Sequence, residues 1–218
     1  MAVSRAITIF VVICTLTGTA AQSKQLAFSG DVPQAQTQEE LDAWLDIVRA
    51  KAPSSIIYFV QEFLQQYPNS DFDAPALQYE IKALQDVDRV PETIAAARRL
   101  LQLRPNSIEA MIALARALPE TAKNGPDPLL HGAQMYAQQA LSQLASQRIP
   151  RSLTPERWNE LRSEMETEIH LALARIAEKY GNREEARKET GIVLNSRFPD
   201  LQRAAKRELQ RLQAGQPE

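Results

Sequence analysis

The residue pattern points to an all-α chain, a row of helix-turn-helix hairpins stacked into an α-solenoid and ended by a C-terminal capping helix. Three observations lead there. Residues 74–107, APALQYEIKALQDVDRVPETIAAARRLLQLRPNS, form a 34-residue unit with two apolar stripes at helical spacing, a polar turn between them and a proline near the end. Tyr67-Pro68-Asn69-Ser70 and Arg104-Pro105-Asn106-Ser107 repeat the same punctuation, with their prolines 37 residues apart. Gly is scarce, 7 in 218 residues, and no Val/Ile/Thr alternation bounded by turns occurs, so strands are not expected.

Residues 1–21 have the pattern of a signal peptide. Arg5 supplies a positive start, Ile7 to Leu16 an apolar core, and Thr19-Ala20-Ala21 a small-residue cleavage site. The uncharged run 6–21 has 16 residues, short for a membrane span, and an uncleaved N-terminal anchor is the alternative. Lipidation at Cys14 is discounted because Ile13 stands where lipoprotein sites resemble one another in carrying a small residue. The chain is therefore read as exported, to the periplasm or beyond the cell. Cleavage after Ala21 leaves 197 residues without cysteine, which excludes disulfides, zinc-thiolate sites and cysteine nucleophiles from the mature protein. It also removes Arg5, taking the formal charge from −2 to −3, a near balance that gives nothing to draw nucleic acid.

Residues 22–36 are polar and read as a flexible leader, and order is expected from Thr37 to the C-terminus as one solenoid, residues 37–218. Thr37 and Glu40 have capping-box spacing. The first unit, about 37–70, pairs Leu41, Trp44, Leu45 and Val48 with Ile56, Phe59, Val60, Phe63 and Leu64 across the break at Ala52-Pro53. Residues 71–73 are three extra connecting residues before the unit 74–107. In that unit Leu77, Ile81 and Leu84 share one helix face, and Ile94, Ala97, Leu100 and Leu101 share another. Pro91 suits a first helical turn, and Pro105 stops the second helix by lacking an N–H and disfavouring helical dihedrals at Arg104.

Leu77, Leu84, Ile94, Ala97, Leu100, Leu101 and Pro105 fall where the tetratricopeptide repeat (TPR) carries its packing residues and terminal proline, so the segment resembles that family. The resemblance implies a right-handed superhelix of hairpins. It departs from the family at the eighth and twentieth positions, where helices cross and small residues are favoured. Ile81 and Thr93 stand there, which predicts a wider hairpin.

The third unit, about 108–145, has Ile108, Met111, Leu114, Ala115 and Leu118 facing Ala133, Ala137, Ala140 and Leu141. Its turn holds a six-residue insertion, Lys123-Asn124-Gly125-Pro126-Asp127-Pro128, read either as a partner-contacting loop or as tolerated slack. From Thr154, an N-cap followed by Pro155 and Glu156, one long helix runs through Trp158, Leu161, Met165, Ile169, Ala172 and Ile176 to Tyr180 and Gly181. Its second half opens a fourth unit, 167–199, with the small crossing pair Ala174 and Ala186. Residues 200–212 form the capping helix, with Leu201, Ala205, Leu209 and Leu212 inward. Its other side, Gln202, Arg203, Lys206, Arg207, Gln210 and Arg211, is read as a solvated face or as a basic site for an anionic partner.

No catalytic chemistry emerges. His131 and His170 are the only histidines and lie in different units, and the one helical pair, Glu166 with His170, falls short of a metal ligand set. Phosphate loops, nucleophile elbows and metalloprotease motifs do not occur, and Glu164, Glu166 and Glu168 point in different directions. Neither cofactor nor metal is expected. The resemblance implies that ligands meet outward positions of each first helix, here Gln78, Lys82 and Gln85, then Ile112 and Arg116 with Pro119, then Leu171 and Arg175 with Glu178. Lys82, Arg116 and Arg175 form a basic ladder suited to a peptide carboxylate or acidic segment. The asparagines of the family's carboxylate clamp are missing at the corresponding places, so that activity is not transferred. The expected function is an exported, non-catalytic scaffold binding a protein or peptide segment, with a structural subunit of an envelope complex as the alternative.

Overall fold

A computed structural model describes residues 33–214, so the expected signal segment, Cys14 and residues 22–32 of the leader lie outside the described residues. Among the described residues there are nine helices and no strand. They are α1 (Gln38–Arg49), α2 (Pro53–Gln66), α3 (Asp73–Asp86), α4 (Val90–Leu103), α5 (Ile108–Thr121), α6 (Pro128–Ser146), α7 (Pro155–Lys179), α8 (Arg183–Leu194) and α9 (Pro199–Ala214).

Each helix packs on its predecessor and its successor, and each odd-numbered helix also touches the next odd-numbered one. Among the described residues no other pair of helices meets. The buried apolar side chains accordingly form clusters in chain order: one from α1 through the α5–α6 hairpin to Ile176 of α7, one across α5, α6 and α7, and a small one of Ala177, Ala186 and Leu212. Ala174 and Ala186 are fully buried where α7 crosses α8, as their size predicts, and Ile81 and Thr93 are buried at the α3–α4 crossing.

The first hairpin is tied down more firmly than its sequence suggests. Thr37 Oγ1 accepts from Glu40 N, the first half of the expected capping box, but the Glu40 carboxylate does not return to Thr37. It accepts instead from Gln36 N at 2.5 Å and from Ser70 Oγ at 2.5 Å, and Ser70 Oγ accepts from Phe72 N at 3.0 Å. Gln34 N also donates to Asp71, so the chain is anchored before Thr37 rather than from it. These bonds rotate α1, with Ile47 fully buried and Val48 exposed, the reverse of the expected assignment. The three extra residues have a packing role: Phe72 stacks on Trp44 with ring centroids 4.8 Å apart and meets Phe63 edge-on.

The Pro-Asn-Ser tetrapeptides fold differently. Ser107 caps α5, accepting from Ala110 N, whereas Ser70 lies three residues before α3 and serves Glu40, with Asn69 at φ +69° making the turn. The predicted insertion is shorter than expected because Pro128 takes the first turn of α6 behind the N-cap Asp127, which accepts from Leu129 N. The loop is not slack. Gly125 N donates to Lys179 O at 2.8 Å and Lys179 Nζ donates to Ala122 O at 3.1 Å, which satisfies a carbonyl left over at the end of α7.

Helix α7 runs from its Thr154 cap to Gly181 at φ +79°, where Asn182 N reaches back to Ala177 O. Asn182 then caps α8, accepting from Glu185 N. At the far end Gln202 does not face solvent as expected; its side-chain amide donates to Ser196 O and Leu194 O and closes the end of α8. Helix α9 lies on α7 and α8, burying Ala205, Leu212 and Glu208.

Candidate functional site

Along the side where α5, α7 and α9 come together lies a cleft of about 360 Å³. Helix α5 contributes Arg116, Ala117 and Glu120, α7 contributes Leu171, Ala172 and Arg175, and α9 contributes Ala204, Arg207, Glu208 and Arg211. Gln85 and the α3–α4 turn, with Asp88 and Arg89, close the remaining side. Asp88 holds φ +55° in that turn. The lining includes Val90, Ala117, Leu171, Ala172 and Ala204 together with five arginines.

These arginines differ in how far they are engaged. Arg175 is the most enclosed: Nε donates to Glu120 at 3.2 Å, Nη1 donates to Glu178, and Glu208 Oε1 lies 3.8 Å away. Burial works against its charge, but Glu120 and Glu178 outweigh that and hold the guanidinium firmly protonated. Arg116 reaches Glu168 at 3.5 Å, a contact at the limit of a hydrogen bond. Arg89 pairs with Glu92 and Arg211 with Glu208. Arg207 is exposed and makes no ion pair among the described residues.

Glu208 is 2% exposed, and its burial and then the adjacent Glu178 push its carboxyl up to about 7. Burial opposes ionisation of Glu178 as well, but Glu208 and Arg175 together hold its carboxyl low. Of the two, Glu208 is the carboxyl that keeps its proton into the neutral range. With Glu208 protonated, the residues that line the cleft carry five positive charges against Asp88 and Glu120, while Glu92, Glu168 and Glu178 pair with three of the five from outside the lining.

The site residues expected from sequence are divided by the structure. Gln85, Arg116, Leu171 and Arg175 line this one cleft. Lys82 lies on the exposed face of α3, pairing with Asp86 at 3.5 Å and lining no cleft among those described. Ile112, 4% exposed, packs with Met111 and Ala115 in the core and has no surface to offer a ligand. Gln78, 5% exposed, lines a different cleft. The ninth position of each unit is thus not one continuous ladder.

Sequence reading missed Arg89, Glu120 and Glu208 as members of the site. It did single out Arg207 and Arg211, as the basic face of α9, but treated that face and the groove as separate features. They are one site, because α9 folds back onto α7. The spacing signal for Glu208 was present: it follows Ala205 by three residues and precedes Leu212 by four, on the buried stripe of α9.

Elsewhere, His170 Nδ1 lies 2.6 Å from Glu189 Oε2, joining α7 to α8. Among the described residues no three His, Cys, Asp or Glu side chains gather as metal ligands, and no helix is long and apolar enough to cross a membrane. No protein-family model, curated protein or solved structure matches the chain.

Proposed function

We propose that the chain is an exported, non-catalytic scaffold of the tetratricopeptide type, a right-handed solenoid whose concave side holds an acidic segment of a partner protein between α5, α7 and α9. The observation that carries the reading is the convergence of five arginines on one cleft, with Arg207 exposed and unpaired among the described residues and Arg116 only loosely held. Guanidinium groups take carboxylates in paired geometry, and a shared basic cleft steers an acidic segment toward it. Leu171 and Ala117 give such a segment apolar contact. The odd-numbered helices touching in series support the stacked arrangement, since the first helices of successive hairpins line the inner side of such a stack. Export rests on the pattern of residues 1–21.

The test uses a fluorescent peptide of alternating Glu and Leu residues with a free C-terminal carboxylate. Binding that weakens by about tenfold or more in the double variant Arg116→Glu, Arg207→Glu, and that falls with added salt, is the expected result. Both side chains are at least partly exposed, so helix content by circular dichroism stays the same. Equal affinity in the variant removes the cleft reading. Fusing residues 1–32 to a reporter enzyme active only outside the cytoplasm tests export separately.

A further inference from the structure

Glu208 shares the buried stripe of α9 with Ala205 and Leu212, and with Arg207 and Arg211 it also lines the arginine cleft. That placement brings its carboxyl up against a second one. Arg175 Nη1 donates to Glu178 and lies 3.8 Å from Glu208 Oε1, so the two carboxylates attend one nitrogen. Arg211 donates to the other Glu208 oxygen, Oε2, whereas Oε1 is buried and has no hydrogen-bond partner. A buried oxygen without a donor is costly, and the neighbour here is another acceptor. A proton on Glu208 answers both problems, because it turns that oxygen into a donor toward Glu178 and removes one of two like charges. Burial and then Glu178 accordingly push the Glu208 carboxyl up to about 7.

This proton sets the charge balance of the whole cleft. Around Glu208, α7 presents Arg175 and Glu178, α9 presents Arg207 and Arg211, α5 presents Arg116 and Glu120, and the α3–α4 turn presents Asp88 and Arg89. Helix α8 also packs on α9 but places no residue in this cleft, and its buried acid Glu189 lines another cleft and is held by His170. With Glu92 and Glu168 pairing from outside the lining, the five arginines meet five carboxylates besides Glu208. Protonated Glu208 leaves that balance even. Ionised, it tips the cluster negative at the wall an acidic segment must approach.

We propose that Glu208 is a proton gate on the arginine cleft: with its carboxyl protonated the cleft takes up an acidic segment, and its ionisation weakens the hold. The inference rests on the acidic-segment reading of this cleft. Linkage makes the effect reciprocal, so a bound segment also draws a proton onto Glu208. Calorimetric titration of the alternating Glu and Leu peptide tests it, the peptide being N-terminally acetylated so that none of its own groups titrates between pH 6 and pH 8. At constant ionic strength the affinity should fall about fivefold from pH 6 to pH 8. At pH 7.5, titrations in buffers of different ionisation enthalpy should show net uptake of a fraction of one proton per site. Glu208→Gln, whose amide keeps a donor toward Glu178, should bind at pH 8 as tightly as the native chain does at pH 6, and should lose both the pH dependence and the uptake. The variant also separates Glu208 from the two histidines, His131 and His170, which line no part of this cleft. Equal affinity at pH 6 and pH 8, or a pH dependence that survives in Glu208→Gln, would overturn the gate and leave the acidic-segment reading standing. No binding at any pH would remove both.

Discussion

Between α1, α2 and α3 the rings of Trp44, Phe63, Phe72 and Tyr79 meet face to edge and face to face; between α5, α7 and α9 the middle is occupied by Arg175 with Glu120, Glu178 and Glu208. The aromatic end buries what it holds, and none of its rings lines a cleft among those described. The ionic end leaves a basic cleft open. In a chain where a helix meets only its near neighbours, the two ends are free to use different forces, because neither has to fit the other. The acids of the first half make the contrast sharper. Asp73 and Glu80 are buried on α3, and burial pushes both carboxyls up, outweighing Arg99 and, at Glu80, the hydrogen bond from Gln61; neither lines a cleft among those described.

The largest expected effect is at the aromatic end. Phe63 is almost wholly buried and touches Trp44, Tyr67 and Phe72, so Phe63→Ala should lower stability by about 3–5 kcal/mol in urea unfolding. The loss should be the same at pH 5 and pH 8, because no titrating group is touched. A loss that changed with pH would mean the two ends are not separable.

Arg175→Met comes next, at about 2–3 kcal/mol at pH 8, since it takes from Glu178 its direct partner and leaves Glu208 with Arg211 alone. At pH 5, with Glu208 protonated, the loss should shrink. Hydrogen exchange should place the weakening in α7 and α9 and leave α1–α3 protected as before.

Glu208→Gln acts on the same cluster with a smaller effect. The Glu208 carboxyl is raised from 4.5 unfolded to about 7 folded, so the folded state binds the extra proton and stability falls as pH rises through that window. The fall should amount to about 2 kcal/mol between pH 5 and pH 8 in the native chain, and the amide should flatten it. An unchanged slope would show that Glu208 ionises freely and that the cleft does not change charge near neutrality.

Much of the fold was legible because helical periodicity, proline placement and caps are local. The α7 start at Thr154 and its exit at Gly181 follow from single residues whose chemistry admits few alternatives. What escaped was set by distant partners. The rotation of α1 depends on Glu40 meeting Ser70, thirty positions away, and no pattern within residues 38–49 encodes it. The cleft was half legible for the same reason: Arg116 and Arg175 sit at equivalent places in successive units, but only the folding of α9 against α7 brings Arg207 and Glu208 to them. Ile112 and Gln78 went astray because an outward position in an isolated hairpin becomes an inward one once the next hairpin is stacked against it.

The smallest effects expected are also the most discriminating, since they compare two copies of one tetrapeptide. Ser107→Ala removes an N-cap bond to Ala110 N and should cost about 1 kcal/mol, the usual value for such a cap. Ser70→Ala removes no helix cap but takes a hydrogen bond from Glu40, which is 3% exposed, and should cost about 1–2 kcal/mol. The two also differ in where they act. Ser107→Ala should loosen only the first turn of α5, whereas Ser70→Ala should release α1 from the α2–α3 turn and speed exchange across the whole of α1. If both variants fray only the helix that follows them, Ser70 is a cap like Ser107, and the anchoring of the first hairpin rests on its aromatic rings alone.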